Sequence, residues 1–283
     1  TMKTNGDDVA YILWLMGVRP VWSRNGNQVV GLEAIPLKEL GRPRIDVTVR
    51  ITGLFRDAFP NLIDLIDDAV KLVSSLDESD EDNILAANLR KDIVEGMEKG
   101  LTVDEARRRA SVRVFGCPPG AYGPGVNHAI ETSDWKTVQD LADIYIAWGS
   151  YAYGRDAKGE CMKDEFVRRF SNVQATVKNM PDREIDVLDI DDVYGYLGGM
   201  NSFVKAYGNR DAMSFVGDGS DPDRTRVRDA KEELQFVYRS KVLNPRFIEA
   251  EEARVPRGVG DRQPHGVHLR MGCHVGHRRR LGV

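Results

Sequence analysis

Cysteine, histidine and long apolar runs are all scarce in this chain. Its three cysteines, Cys117, Cys161 and Cys273, are odd in number and far apart, which excludes a disulfide framework and a zinc knuckle. His128 is the one histidine in the first 250 of 283 residues. No apolar stretch approaches the roughly 18–20 residues of a membrane span. The opening Thr-Met-Lys-Thr-Asn-Gly-Asp-Asp lacks the apolar region of a secretory signal. Neither G-x-x-x-x-G-K-[ST] nor G-x-G-x-x-G occurs, so the usual phosphate cradles are missing, and with them a nucleotide site of the chain's own. A reducing, cytoplasmic compartment is the expectation.

What remains is ordinary globular material, 41% hydrophobic and 30% charged, enough for one large domain or two smaller ones. The net charge of −4 hides an asymmetry: the last 33 residues hold seven arginines against three acids, so the first 250 carry −8. A body of that sign repels nucleic acid rather than binding it.

Apolar spacing predicts a helix over 8–16, then a hairpin about Asn25-Gly26. Ile45, Val47, Val49 and Ile51 alternate with polar residues, the pattern of a half-buried strand, and a helix over 61–73 follows. The acidic run 77–82 is expected as a solvated linker between an α/β segment, 1–76, and a helix-rich α/β segment, 83–250. Further helices are expected at about 83–99, 103–110, 135–148, 164–177, 191–207 and 226–242, with a short strand at 112–115. The fold class is mixed α/β, rich in helix.

That short strand empties into Gly116-Cys-Pro-Pro-Gly-Ala-Tyr-Gly-Pro-Gly125, four glycines and three prolines in ten residues. Glycine opens backbone angles closed to other residues and proline fixes them, so the loop is shaped, to hold a ligand or to join strand and helix rigidly. Arg56-Asp57 follows the predicted strand at a helix start, where α/β proteins place functional groups, though an internal ion pair is equally in keeping. His128 lies just past the loop. Glu184, Asp186, Asp189, Asp191 and Asp192 crowd into nine residues. Close carboxylates hold a hard divalent ion or exchange protons near neutrality, and they equally well cap a helix start.

Residues 251–283 break from the rest. They have no Phe, Tyr, Trp, Ile, Lys or Asn, and no amphipathic period. His265, His268, Cys273, His274 and His277 form a zinc- or cobalt-type set by residue type. Choosing synonymous codons and reading one base on restores aromatic and acidic residues, so this tail is expected to be frame-shifted or disordered and its metal set an accident.

Several passages in order carry a resemblance: Gly17-Val-Arg-Pro-Val-Trp22, Ile35-Pro-Leu-Lys-Glu-Leu-Gly-Arg-Pro-Arg44, Phe55-Arg-Asp-Ala-Phe-Pro-Asn61, the loop 113–125, Asp182-Arg-Glu-Ile-Asp-Val-Leu-Asp-Ile-Asp-Asp-Val-Tyr194 and Asn244-Pro-Arg-Phe247. Together, over about 5–250, they resemble the large subunit of aerobic cobaltochelatase (CobN), a relative of the magnesium chelatase large subunit. Members of that family are several times longer, so the chain is expected to be a piece of a multidomain chelatase subunit. The Pro-Gly-Ala-Tyr-Gly loop resembles the cobalt branch rather than the magnesium branch.

The resemblance implies insertion of Co²⁺, as substrate metal, into a corrin-ring precursor of the hydrogenobyrinic acid a,c-diamide type; the alternative is Mg²⁺ into protoporphyrin IX. ATP would be hydrolysed by a separate AAA+ motor with a midas-type partner. A non-catalytic tetrapyrrole-binding protein is a third reading. Site expectations are Asp57, His128, Glu184 and Asp186 in catalysis, Arg56 and Tyr122 against the ring, and Asp189, Asp191 and Asp192 toward the metal.

Overall fold

The computed structural model describes residues 6–254. Helix α1 (Asp7–Met16) buries Val9, Leu13 and Met16, and Gly17 ends it in the left-handed region that glycine alone enters easily. Strands β1 (Val18–Trp22) and β2 (Val29–Ala34) then pair antiparallel, as the Asn25-Gly26 signal predicts. After the single turn α2 (Leu37–Leu40) comes β3 (Val49–Arg50), and then α3 (Gly53–Ala58) and α4 (Pro60–Ser74). Thr52 caps α3 by accepting from the Phe55 amide at 3.0 Å. Pro60 opens α4, whose Ile63, Ile66, Ala69, Val70 and Val73 make a single buried face.

Helices α5 (Ile84–Glu98) and α6 (Val103–Ser111) complete the crossover to β4 (Val114–Gly116), which lies parallel to β3. Past the glycine-proline loop come α7 (Val126–Glu131), α8 (Val138–Gly149), β5 (Tyr151–Gly154), β6 (Ala157–Cys161) and α9 (Lys163–Ser171). The four strands order as β3-β4-β5-β6. Strand β7 (Ala175–Met180) opens a separate three-stranded sheet. The helix that follows runs from α10 (Asp191–Val193) through a π turn (Tyr194–Gly198) into α11 (Gly199–Gly208). Then β8 (Met213–Asp218) lies parallel to β7, β9 (Arg226–Asp229) antiparallel to β8, and α12 (Ala230–Val237), a second π turn (Tyr238–Val242) and α13 (Pro245–Arg254) close the described chain.

One core gathers α1, α4 and the first face of the central sheet, from Val9 and Met16 to Val114 and Tyr153. Another lies on the opposite face, where the Phe115, Tyr145, Phe166, Phe170 and Phe203 rings meet, with Phe166 stacked on Phe170 at 4.2 Å. A small third core seats Met180, Val193 and Val216 beneath the three-stranded sheet.

Three expectations need correction. The strand at 45–51 shrinks to Val49–Arg50, because β4 offers only three residues to pair with and the Ile45 amide turns to the Leu15 carbonyl at the end of α1. The helix at 164–177 stops at Ser171, and the rest becomes β7. The helix at 226–242 yields its first four residues to β9. The acidic run 77–82, though mostly exposed, is pinned by Glu78 to buried Arg44, and Val73 before it shares a core with Leu85 after it.

Candidate functional site

The parallel strands β3 and β4 end side by side, and their carboxyl edge is where an α/β arrangement gathers functional groups. From β3 the chain passes through the Thr52 cap into α3, which carries Arg56 and Asp57. From β4 it enters the glycine-proline loop. The two meet: Arg56 is buried and its Nη1 donates to the carbonyls of Pro118 at 2.8 Å and Ala121 at 3.1 Å. Its Nε and Nη2 donate to the two Asp57 oxygens at 2.6 and 2.8 Å. The exposed Tyr122 hydroxyl donates to Asp57 Oδ2 at 2.7 Å while its ring lies 5.5 Å from the Arg56 guanidinium. Gly53 permits this approach, since a methyl there would fall 2.6 Å from the Ala121 oxygen. Arg56 and then the Tyr122 hydroxyl hold the Asp57 carboxyl down at about 2. Asp57 is therefore a fixed anion across the neutral range and a weak base.

Behind this group a cleft of about 250 Å³ is lined by Arg56, Asp57, Pro60, Ile63, Pro119, Tyr153, Gly154, Ala157 and Lys158. That is below the roughly 300–1,000 Å³ of a small-molecule pocket.

The acidic cluster divides. Asp186 is buried, and Lys241 reaches it at 2.7 Å and also binds Asp189. Asp186 Oδ1 accepts the Leu188 amide and Asp189 Oδ2 accepts the Asp186 amide, each at 2.8 Å. Burial works against the Lys241 charge, but these carboxylates outweigh it and raise its pKa. Glu184 is exposed, and its backbone amide donates to Asp182 Oδ1. Asp191 and Asp192 instead start the helix beside the loop. Asn127 Nδ2 donates to Asp191 Oδ2 at 2.5 Å, and Gly195 packs so closely on Pro124 and Asn127 that a methyl there would sit 2.2 Å from the Asn127 oxygen. Desolvation, with the adjoining Asp191 charge, raises the Asp192 carboxyl. His128, next to Asn127, is exposed on α7.

The structure thus joins Arg56, Asp57 and Tyr122 in one group. It brings Asp191, Asp192 and His128 to the other end of the same loop, and leaves Asp186 and Asp189 neutralised by Lys241. Among the described residues no three His, Cys, Asp or Glu side chains come together in a metal-holding group. The His/Cys set of the tail lies outside the described residues.

Sequence reasoning missed Arg50, Tyr145 and Tyr196. Arg50 ends β3, with its guanidinium 5.6 Å from the Tyr145 ring and 5.2 Å from the Tyr196 ring. It reads in sequence as one polar position of an alternating strand; its place beside Gly53 at the strand end was the available signal.

The chain matches known proteins over most of its length. The CobN/Magnesium Chelatase family matches over residues 1–261, past the point near residue 250 where the resemblance was expected to stop. The chain belongs to that family. It is 46% identical over 248 residues to the aerobic cobaltochelatase subunit CobN of Pseudomonas aeruginosa, covering 88% of this chain and 20% of that protein. The magnesium-chelatase subunit ChlH of Oryza sativa subsp. indica is 34% identical over 253 residues, covering 88% and 17%. Among solved structures, the catalytic subunit of cobaltochelatase from Mycobacterium tuberculosis superposes with a TM-score of 0.82 at 42% identity, over 87% of this chain and 20% of that one. The chain spans about a fifth of the length of these relatives. No helix among the described residues is long and apolar enough to cross a membrane.

Proposed function

We propose that the chain forms part of the tetrapyrrole-binding large subunit of an ATP-dependent cobaltochelatase, which inserts Co²⁺ into a corrin-ring precursor of the hydrogenobyrinic acid a,c-diamide type in the cytoplasm. The observation that carries this reading is the difference in likeness, 46% identity to a cobaltochelatase subunit against 34% to a magnesium chelatase subunit over the same share of the chain. An AAA+ motor and a midas-type subunit supply ATP hydrolysis, in keeping with the absence of a P-loop here.

Insertion demands three things of the protein: removal of water from the metal, acceptance of two pyrrole protons and a firm grip on the ring. Tyr122 over Arg56 offers an aromatic, cationic face on which a macrocycle stacks. Asp57 orients Tyr122 rather than taking protons, because its carboxyl stays ionised down to about 2. Asp192, pushed upward, is the better proton acceptor, with Asp191 beside it to attract the dication and exposed His128 at the same end of the loop. The cleft behind Asp57 holds one edge of the ring, and other parts of a subunit five times longer complete the site.

The test reconstitutes the full-length subunit with its motor partners and ATP, and offers Co²⁺ and Mg²⁺ with both rings. Cobalt insertion into the corrin precursor supports the reading. Preference for Mg²⁺ and protoporphyrin IX overturns it for the magnesium branch, and ring binding without insertion overturns it for a non-catalytic binder.

A further inference from the structure

Arginines in this protein use one edge of the guanidinium in a regular way. Arg44, Arg56 and Arg113 each present Nε and Nη2 to a single carboxylate, of Glu78, Asp57 and Asp46 respectively. Arg50 departs from the pattern. Its Nη1 donates to the Ile51 carbonyl at 2.5 Å, but Nε and Nη2, both shut off from solvent, have no close acceptor among the described residues. Arg169 and Arg183 each leave one N–H over, yet both are ion-paired.

Beside Arg50 the Tyr145 hydroxyl is also buried without a close partner among the described residues; burial pushes it up to about 12 against the pull of Arg50, so it keeps its proton at any physiological pH. Two guanidinium N–H groups and a hydroxyl, none with a close partner among the described residues, therefore gather at the carboxyl edge of β3 and β4, where α3 and the glycine-proline loop also begin. A water would satisfy these hydrogen bonds but leave the half-buried Arg50 charge without a counter-ion among the described residues.

We infer that the Nε/Nη2 edge of Arg50, with the Tyr145 hydroxyl, receives a carboxylate on the periphery of the tetrapyrrole. The inference rests on the tetrapyrrole reading above and adds to it the residues that take one free acid substituent of the ring. A planar carboxylate matches this edge as the protein's own side chains do at Arg44, Arg56 and Arg113. Tyr196 covers the guanidinium from the π turn Tyr194–Gly198, a geometry often found at functional sites.

The test measures binding of hydrogenobyrinic acid a,c-diamide, and of the same ring with every carboxylate converted to its amide, to the full-length subunit. The wild type is expected to prefer the acid ring by about tenfold, the scale of a charge-assisted bidentate contact. Arg50→Met removes the preference by weakening the acid ring alone. Arg50→Lys, which keeps the charge and loses the fork, falls most of the way with it. Tyr145→Phe, a nearly isosteric change, lowers the preference several-fold and stands as the check should the Arg50 variants fold poorly. A preference that survives in Arg50→Met and in Tyr145→Phe, or equal weakening of both rings, overturns the inference. Indifference to amidation, with inorganic phosphate stabilising the wild type against heat but not Arg50→Met, makes phosphate the oxyanion and overturns the ring assignment. A wild-type subunit that binds neither ring overturns the tetrapyrrole reading itself.

Discussion

Asp57 differs from an ordinary surface aspartate because both its oxygens are engaged, and its proton affinity reports the geometry of the loop. In Tyr122→Phe the carboxyl loses one donor and keeps Arg56, so its midpoint should rise from about 2 toward the ordinary 3.8 without reaching it. Carboxyl-carbon NMR titration measures this directly, and an unmoved midpoint would place Tyr122 away from Asp57 in solution. Asp46 illustrates a buried counterpart. Burial pushes its carboxyl up, but Arg113 and Arg169 outweigh that and hold it below its usual range. A depressed carboxyl adds stability in full above its unfolded pKa of roughly 3.9 and loses it as pH falls through the lower folded value. Asp46→Asn should therefore flatten the acid limb of the stability curve. At pH 7 it should cost about 3 kcal/mol in denaturant melts, since Arg113, 1% exposed, is left without a full counter-charge.

Single glycines decide how the elements close on one another. Gly125 sits at φ +84°, and a methyl there would lie 2.3 Å from the Trp148 ring of α8. Gly125→Ala should thus cost more than about 2 kcal/mol in a thermal melt, strain and overlap together. Gly120→Ala, at φ +79° with open space around it, should cost only about 1 kcal/mol. Equal losses would mean that Trp148 does not brace the loop. The elements legible in the sequence were those with a long apolar period or a distinct turn: α1, the first hairpin, α4, α5 and the capped α8. Strand β7 was hidden because Val173 and Val177 continue the spacing of α9, and β8 because its end, Gly217-Asp218, reads as the start of a turn. The Arg56–Asp57–Tyr122 group was half legible, since a strand end and a shaped loop announce themselves. The other groups were not, because nothing local says that Lys241 will neutralise Asp186 and Asp189 or that Arg50 will face inward between two tyrosines.

On the scale of the whole molecule, charge and chain order set the remaining expectations. With −8 over residues 1–250, the protein should leave duplex DNA unshifted in a gel at physiological salt, and a shift that weakens with added salt would contradict the charge argument. Chain order acts through Arg44. One buried guanidinium donates to the Gly17 carbonyl at 2.7 Å, to Ile35 at 2.8 Å and to both oxygens of Glu78. A methyl on Gly17 would fall 2.5 Å from its Nη1, so this crossing admits no other residue without rearrangement. The three segments it ties are far apart in synthesis. The first helix and hairpin leave the ribosome before the residue that neutralises their fastener has been made, and they must wait some forty residues for it. The early part of this chain is thus committed late, by a loop closure rather than by its own helix or hairpin.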